Sequence, residues 1–263
     1  MRTPNAEVGD GIRYDGYDGS ALARLLHLPD VVVFDEVAST LDVAHALAGR
    51  GASAGTLVLA EVQTAGRGRM GRSWRSEHGA GVWLTLIERP AADALVSVLS
   101  LRIALHLARA LDSFADTRID VKWPNDLYVA GRKLAGILVE TRWRAGRLDW
   151  LAAGVGINLR PPSGVDAASL KSGPTRLDVL RAGVPAIRAA IASRGPLVSD
   201  EYGDFTRRDI ATGRRCREPA EGVVAGIDPS GALLIDTAAG RVAFHGGSLV
   251  FRDVNERSAG GSA

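Results

Sequence analysis

The segment that most restricts the fold of this chain is a glycine- and arginine-rich loop, GRGRMGRSW (66–74). Its glycines match the GxGxxG pattern of dinucleotide-binding folds, and a predicted strand, TLVLAEV (56–62), precedes it. In those folds the glycine turn opens a crossover helix whose N-terminus holds the pyrophosphate. Here only SWRSEHGAG (73–81) separates the glycines from the next predicted strand, VWLTLIE (82–88), which leaves no room for that helix. This spacing strongly disfavours a Rossmann dinucleotide site.

The same loop has the chemistry of an anion-binding segment. Arg67, Arg69 and Arg72 alternate with the glycines, and Arg72 and Ser73 stand where a P-loop has its Gly-Lys-Ser/Thr ending. Glycine permits close backbone approach, and guanidinium groups bind carboxylate or phosphate in a bidentate manner. The loop therefore predicts an anion site. A solvated basic turn and an RNA-contacting segment stay open as alternatives.

Hydrophobic periodicity divides the chain into a larger part of mixed strands and helices and a small all-β part. Short apolar runs bounded by turn residues predict strands, and longer periodic runs predict helices. Strands are predicted for VVVFDEV (31–37), TLVLAEV (56–62), VWLTLIE (82–88), IDVKW (119–123), DLYVA (126–130), LAGILVE (134–140) and DWLAAGVGINL (149–159), and helices for 41–50, 93–111 and 175–193.

These elements predict an α+β fold in two domains. From residue 213 onward, short alternating strands with tight turns indicate a small β-barrel. We expect a flexible leader at 1–20, a mixed-sheet catalytic domain at 21–212, the barrel at 213–255 and a disordered tail at 256–263.

Composition excludes several classes of protein. No apolar stretch reaches the roughly 20 residues that span a bilayer, and the N-terminus has no basic segment followed by an apolar run, as a secretory signal would. The one cysteine, Cys216, suits a reducing compartment. A net charge of +2 gives no overall signature of nucleic-acid binding. We predict a cytoplasmic protein that binds no membrane.

Lysine is rare, since only Lys122, Lys133 and Lys171 are lysines among 32 basic residues. A lysine kept against such a bias more often lies where a planar guanidinium cannot replace an ammonium. Lys133 begins an otherwise apolar strand, and if it faces inward it must meet an anion. The pentapeptide KWPND (122–126) combines a charge, an aromatic ring and two oxygen ligands, although Asn and Asp after Pro also form plain turns.

Four blocks, GRGRMGRSW (66–74), KWPNDLY (122–128), GRKLAGILVE (131–140) and GVGINL (154–159), together resemble the catalytic domain of biotin–protein ligases. Near the C-terminus, GIDPSGALLI (226–235) is similar to the first strand pair of that family's terminal domain. The resemblance implies a class II aminoacyl-tRNA synthetase-like catalytic domain, with a mixed sheet and helices, followed by an SH3-like β-barrel. Because the first core strand begins at Val31, we expect the monofunctional type without an N-terminal DNA-binding domain.

The resemblance also implies which residues hold biotin. The ureido ring would contact Ser39, Thr40 and Gln63, with a plain helix cap as the alternative for Ser39 and Thr40. The family pattern continues with Asn where this chain has Leu41, so one polar contact is expected to be missing or supplied by the backbone. The remaining residues implied for biotin are Arg67, Gly68, Arg69 and Lys133.

For the nucleotide and the chemistry, the resemblance implies a second, overlapping set. Lys133 and Arg69 would be catalytic, because fixed cations stabilise the charge that gathers when a carboxylate attacks a phosphate. Asp126 corresponds to a magnesium position. Trp74 could stack on the ligand or fill the core, as could Trp123. The residues implied for ATP or the adenylate are Gly66, Arg67, Arg69, Arg72, Trp74, Asn125 and Asn158.

The implied activity is ATP-dependent formation of biotinyl-5'-AMP and transfer of biotin to a lysine of a biotin carboxyl carrier protein. ATP and biotin would be substrates and Mg²⁺ a cofactor. We expect no operator DNA binding and a monomer or weak homodimer. Lipoate or octanoate ligation and nucleic-acid binding through the arginine loop are the alternatives.

Overall fold

The computed structural model describes residues 12–90 and 96–252. Its first ordered feature corrects the prediction of a flexible leader, because Tyr14 is fully buried. The Tyr14 hydroxyl donates to the carbonyl of Gly81 at 3.4 Å, and the guanidinium of Arg176 lies 3.9 Å from the centre of the Tyr14 ring. Residues 12–20 are therefore part of the fold, anchored by one aromatic side chain too isolated to create a periodic pattern. The rest of the predicted leader lies outside the described residues.

A seven-stranded sheet forms the centre of the larger domain, with the strand order β1-β2-β3-β7-β6-β5-β4. Strands β1 and β2 run parallel because helix α2 crosses between them, and the other neighbours are antiparallel. The strands are β1 (Val31–Val37), β2 (Leu57–Gln63), β3 (Gly81–Glu88), β4 (Asp120–Lys122), β5 (Asp126–Val129), β6 (Arg132–Arg144) and β7 (Arg147–Asn158).

Helices cover both faces of this sheet. Helix α2 packs on one face through Leu41, Ala44 and Ala48, and the large core on the opposite face includes the apolar sides of α1, α3 and α4. Across residues 12–90 and 96–252, no helix has the length and hydrophobicity needed to cross a membrane. The helices are α1 (Gly19–Leu26), α2 (Thr40–Gly49), α3 (Val96–Leu111), α4 (Arg176–Ala192) and α5 (Ser199–Arg208).

Strands and helices thus form where the hydrophobic pattern predicts them, with two exceptions. Helices α1 and α5 lie in stretches for which no helix was predicted. Helix α5 shows why, since three of its buried residues, Glu201, Asp204 and Arg208, are charged. Its inward face has helical spacing without being hydrophobic, so hydropathy cannot detect it.

The C-terminal residues form a separate five-stranded antiparallel sheet with the order β11-β10-β9-β8-β12, consistent with the predicted SH3-like domain. Asp228 closes its first hairpin by accepting hydrogen bonds from the backbone N–H groups of Ser230 and Ala232. The predicted disordered tail lies outside the described residues. The strands are β8 (Arg215–Glu218), β9 (Gly222–Ile227), β10 (Leu233–Thr237), β11 (Gly240–Phe244) and β12 (Val250–Phe251).

The two sheets are joined through Trp123. Its side chain is 2% exposed, and its indole N–H donates to the carbonyl of Gly231 at 2.9 Å. Gly231 has φ +83°, and a Cβ there would lie 2.8 Å from the side chain of Val98, so this position requires glycine. Trp123 therefore fills the core between the domains, as one of the two interpretations predicted.

Candidate active site

A cleft opens over the middle of the large sheet, next to the C-terminal sheet. Side chains from the start of α2, the end of β2, the glycine-arginine loop and the turn before β5 meet in it, together with residues 247–249 of the loop before β12. Of the residues predicted for the site, those that line the cleft are Thr40, Gln63, Arg67, Gly68, Arg69, Arg72, Trp74, Asn125, Asp126 and Lys133. The tertiary structure therefore brings together most of the predicted positions, from segments far apart in the chain.

Glycines of the sheet form the floor of the cleft. A Cβ on Gly156 would lie 2.4 Å from the indole of Trp74, and one on Gly136 would lie 3.0 Å from the same ring. A Cβ on Gly154 would lie 3.1 Å from the side chain of Leu41. These glycines let Trp74 and Leu41 lie flat against the strands and form an apolar surface. Although the glycines belong to the recognised blocks, no role was predicted for them.

At one end of the cleft, neutral polar groups form a continuous hydrogen-bonded chain. The Thr85 hydroxyl donates to Thr40 Oγ1 at 2.8 Å, and the Thr40 hydroxyl donates to Gln63 Oε1 at 3.1 Å. Gln63 Nε2 then donates to Ser76 Oγ at 2.9 Å. The Gln63 amide is therefore held in one orientation. Thr85 and Ser76, which do this, lie on strand β3 and in the loop before it, and nothing in the local sequence marks them.

Three predicted residues do not line the cleft. Ser39 is buried and caps α2, its Oγ accepting from the backbone N–H of Leu41 at 3.3 Å, so the helix-cap interpretation describes it. Gly66 lets the loop close, because a Cβ there would lie 2.5 Å from the carbonyl oxygen of Trp74. Asn158 is buried and donates from Nδ2 to the carbonyl of Ala168 at 3.1 Å, which anchors the segment after β7.

The glycine-arginine loop folds back on itself as a tight turn. The backbone N–H of Gly68 donates to the carbonyl of Arg72 at 2.7 Å, and that of Trp74 donates to Gly66 at 2.8 Å. At the tip, Met70 has φ 55° and Gly71 has φ 73°. This geometry spreads the arginines along the cleft instead of grouping them on one outer face.

Each arginine of the loop contacts a different part of the molecule. Arg67 lies 3.1 Å from Glu140 on β6, and Arg69 donates to Asn125 Oδ1 at 3.3 Å. Arg72 donates at 2.7 Å to Ser248 Oγ, in the loop between β11 and β12 of the C-terminal domain. The loop is thus tied to the sheet, to the turn before β5 and to the second domain, which disfavours an outward-facing RNA-contacting segment.

Positive charge predominates at the other end of the cleft. Lys133 Nζ lies 2.8 Å from Asp126 Oδ1 and 5.4 Å from the centre of the Trp74 ring. Burial lowers the pKa of the Arg69 guanidinium, although the Asp126 carboxylate acts in the opposite direction. Burial likewise lowers the pKa of Lys122, which faces Phe251 of the C-terminal sheet at 5.0 Å. Lys133, Arg69 and Lys122 thus share the single carboxylate of Asp126, so this end of the cleft attracts anions.

Among the described residues that line the cleft, Asp126 is the one with a carboxylate to offer a metal ion. Residues 12–90 and 96–252 contain no cluster of three or more His, Cys, Asp or Glu side chains that could hold a metal ion. A single carboxylate fits a hard cation that takes most of its ligands from water and from substrate phosphates. It does not fit a structural zinc or calcium site.

Two known families match the chain. The Biotin/lipoate A/B protein ligase family matches residues 36–158, and the Biotin protein ligase C terminal domain matches residues 212–252. The first match contains most of the strands and loops that line the cleft, and the second contains the C-terminal sheet.

Individual proteins show the same similarity. The chain is 34% identical over 229 residues to the bifunctional ligase/repressor BirA of Bacillus subtilis, covering 80% of this chain and 70% of that protein. It is 34% identical over 224 residues to the biotin–[acetyl-CoA-carboxylase] ligase of Paracoccus denitrificans, covering 73% and 88%. The biotin protein ligase from Aquifex aeolicus in complex with biotin and ATP superimposes with a TM-score of 0.68 and 26% identity, covering 84% of this chain and 98% of that one.

Proposed function

The chain belongs to the biotin protein ligase family, and from that premise we propose that it uses ATP to attach biotin to a lysine of a carboxylase carrier protein. One observation carries the proposal. The cleft has a neutral, hydrogen-bonding end at Thr40 and Gln63 and a cationic end at Lys133 and Arg69, with an apolar floor between them. Biotin has the matching order of groups, namely a neutral urea, an apolar chain and a carboxylate.

This match sets an orientation for the substrate. The urea would bond to Gln63 and Thr40, whose hydrogen-bonded chain already fixes them, and the apolar chain would lie over Leu41 and Trp74. Leu41 is buried and contributes hydrocarbon to the floor, so apolar contact with biotin would replace the missing polar contact at this position. The carboxylate would then reach Lys133.

The first chemical step would join biotin to AMP. A biotin carboxylate oxygen attacks the α-phosphorus of ATP, forming an O–P bond, while the bond to pyrophosphate breaks and pyrophosphate leaves. Negative charge accumulates on the phosphoryl oxygens, and preorganised cations in a desolvated cleft stabilise it most strongly. Lys133 and Arg69 line the cationic end of the cleft, where the carboxylate and the α-phosphate would meet, and we assign the catalytic role to them.

Asp126 fits the magnesium ion that nucleotide chemistry of this kind uses. Its carboxylate lies at the cationic end, beside the turn that carries Asn125. We propose that Asp126 holds Mg²⁺, which would neutralise charge on the ATP phosphates when bound. Substitution by Asn should raise the Mg²⁺ concentration needed for half-maximal activity. An unchanged Mg²⁺ dependence would overturn the assignment.

The second step would transfer the biotinyl group to the carrier protein. The amine of an acceptor lysine attacks the biotinyl carbonyl carbon, an amide bond forms, the amine loses a proton and AMP leaves with the acyl oxygen. The relative from Paracoccus denitrificans is named for acetyl-CoA carboxylase, which supports a carboxylase carrier domain as the acceptor. Location in the cytoplasm, absence of operator DNA binding and a monomeric or weakly dimeric state stay predictions.

Calorimetry with biotin and with lipoate is the first test of this function. Lipoate has no urea, so we expect biotin to bind far more tightly. ATP–pyrophosphate exchange should depend on biotin, and a biotin carboxyl carrier domain should gain biotin only when ATP is present. Equal affinity for the two ligands, or exchange that does not depend on biotin, would defeat the proposal.

A further inference from the structure

A chain of hydrogen bonds lies beside the cleft without lining it. The indole N–H of Trp150 donates to His45 Nδ1 at 3.0 Å, and His45 Nε2 lies 2.8 Å from Glu140 Oε2. The three residues come from β7, α2 and β6 respectively. None of them belongs to the positions assigned to biotin, ATP or magnesium.

The chemistry of the groups fixes the direction of this chain. An indole nitrogen can only donate a hydrogen bond, so His45 Nδ1 must be the acceptor and carry no proton. The proton of the neutral imidazole is therefore on Nε2, which donates to Glu140. Trp150 thus selects the His45 tautomer that bonds to Glu140, and the Glu140 carboxylate is held in one orientation.

This chain of hydrogen bonds ends at Arg67 of the glycine-arginine loop. Arg67 NH2 lies 3.1 Å from the same Glu140 oxygen that His45 contacts, and 3.0 Å from Asp42 Oδ1 of α2. The two carboxylates differ in their surroundings, since the Glu140 side chain is 29% exposed and the Asp42 side chain is 59% exposed. Glu140 is fixed by a second hydrogen bond, whereas the more exposed Asp42 competes with water.

Other charged groups near the chain are engaged elsewhere. The guanidinium of Arg89 lies over the Trp150 ring at 5.8 Å, and Arg89 pairs with Asp149, to which Arg144 is also paired. Among the described residues, Glu140 is therefore the carboxylate of this cluster that contacts both His45 and Arg67.

We propose that Glu140, oriented by His45 and Trp150, is a positioning residue that holds Arg67 against the cleft and so sets the position of the loop over the biotin carboxylate. The inference rests on the proposed function, because the position of Arg67 matters for substrate binding only if biotin binds in the cleft. Neutralising Glu140 should leave Arg67 held by Asp42 alone, weakening substrate binding more than chemistry.

The test compares Glu140→Gln with Asp42→Asn, which removes the charge of the other carboxylate paired with Arg67. For Glu140→Gln we expect the KM for biotin in ATP–pyrophosphate exchange to rise about tenfold, as for loss of one charge-assisted bond, with kcat nearly unchanged. For Asp42→Asn we expect less than a twofold change. His45→Gln, which keeps a side-chain N–H for Glu140, should be closer to wild type than His45→Ala.

Arg67→Gln separates failure of this inference from failure of the proposed function. If Arg67→Gln weakens biotin binding but Glu140→Gln behaves like Asp42→Asn, the positioning role is wrong and the proposed site stands. If Arg67→Gln has no effect on biotin binding, Arg67 is not part of the biotin site, and the positioning role of Glu140 falls with it.

The imidazole tautomer gives a readout that does not depend on activity. In ¹⁵N-labelled protein at neutral pH, His45 should show a protonated Nε2 and an unprotonated Nδ1. Trp150→Phe should mix the two tautomers and raise the KM for biotin in the same direction as Glu140→Gln. A protonated Nδ1 in the wild-type protein would overturn the proposed chain.

Discussion

The ion pairs between α3 and α5 and those around the cleft use the same kinds of side chain but are held in different ways. In the helical pair, Arg102 is 0% exposed and donates to both oxygens of Glu201 and to the carbonyls of Gly195 and Pro196. In the cleft, Lys133 is 35% exposed and has one carboxylate partner, Asp126, which is 18% exposed. A buried charge with several fixed partners stabilises the fold. A partly exposed charge with a single partner stays available to bind a ligand.

The difference shows how one chain can bury many charges for two purposes. Charges of the helical cluster, which also includes Arg109, Asp204 and Arg208, satisfy one another and stabilise the docking of α5. The cleft has more cations than carboxylates, so its cations have few partners. An anion that binds there would give them a further partner. Four predictions test whether this division holds.

The largest expected effect is on the helical cluster. Glu201→Ala leaves the Arg102 guanidinium buried without its carboxylate, which should lower the free energy of unfolding by about 3–5 kcal/mol. Guanidinium chloride unfolding followed by circular dichroism measures it. Asp236→Ala, which removes an exposed partner of Arg241, is the control and should leave the midpoint nearly unchanged. Similar losses for the two variants would erase the distinction between fixed and exposed pairs.

The next effect concerns the cleft. Lys133→Met should lower kcat for ATP–pyrophosphate exchange by about 10²–10³, because one preorganised cation is lost where charge develops. Its unfolding midpoint should change less than that of Glu201→Ala, since the Lys133 side chain is 35% exposed whereas that of Arg102 is 0% exposed. Lys171→Met removes an exposed lysine outside the cleft and should retain full activity. A large loss of stability in Lys133→Met would place this pair with the structural charges.

Acid should affect the helical cluster through its carboxylates. Burial alone would raise the pKa of Asp204, but hydrogen bonds from Arg109 and Arg208 outweigh it and lower the pKa. Likewise burial would raise the pKa of Glu201, and the bonds from Arg102, Val198 and His106 lower it. The unfolded chain then binds protons more readily, so this stability is present above the unfolded pKa values of about 4 and is lost as the pH falls through the folded ones.

Urea unfolding between pH 7 and pH 3 measures this dependence. Stability should fall with decreasing pH, and Asp204→Asn should make the fall shallower because one of the linked protons is removed. An unchanged slope in Asp204→Asn would show that other carboxylates control the acid transition.

The smallest effect is expected at the contact between the loop and the C-terminal domain. Ser248→Ala removes the acceptor for Arg72 and should raise the KM for ATP about threefold, with kcat unchanged, since the contact is exposed. Thr237→Ala removes another hydroxyl of the C-terminal domain, bonded to Gly240, and is the control. A fall in kcat for Ser248→Ala would mean that the second domain takes part in the chemistry.

Much of the fold and the site could be predicted because the signals are local. Strand β1 and helix α2 form where hydropathy predicts them, and the loop arginines and Lys133 reach the cleft. Helix α5 escaped prediction because charged residues occupy its buried face. Thr85 and Glu140 escaped because each acts through a partner at least 45 positions away in the chain.

The sequence by itself determined the seven strands of the large sheet, helices α2, α3 and α4 and the family of the protein, and it predicted an anion-binding glycine-arginine loop. These depend on the spacing of apolar residues, on glycine conformation and on short motifs, all of which are read within a few residues. Only the tertiary structure decided that Thr40 faces the cleft while its neighbour Ser39 caps a helix, and which partner each arginine takes. Neighbouring side chains point in different directions, and a charge is paired by whatever packing brings within a few ångströms of it.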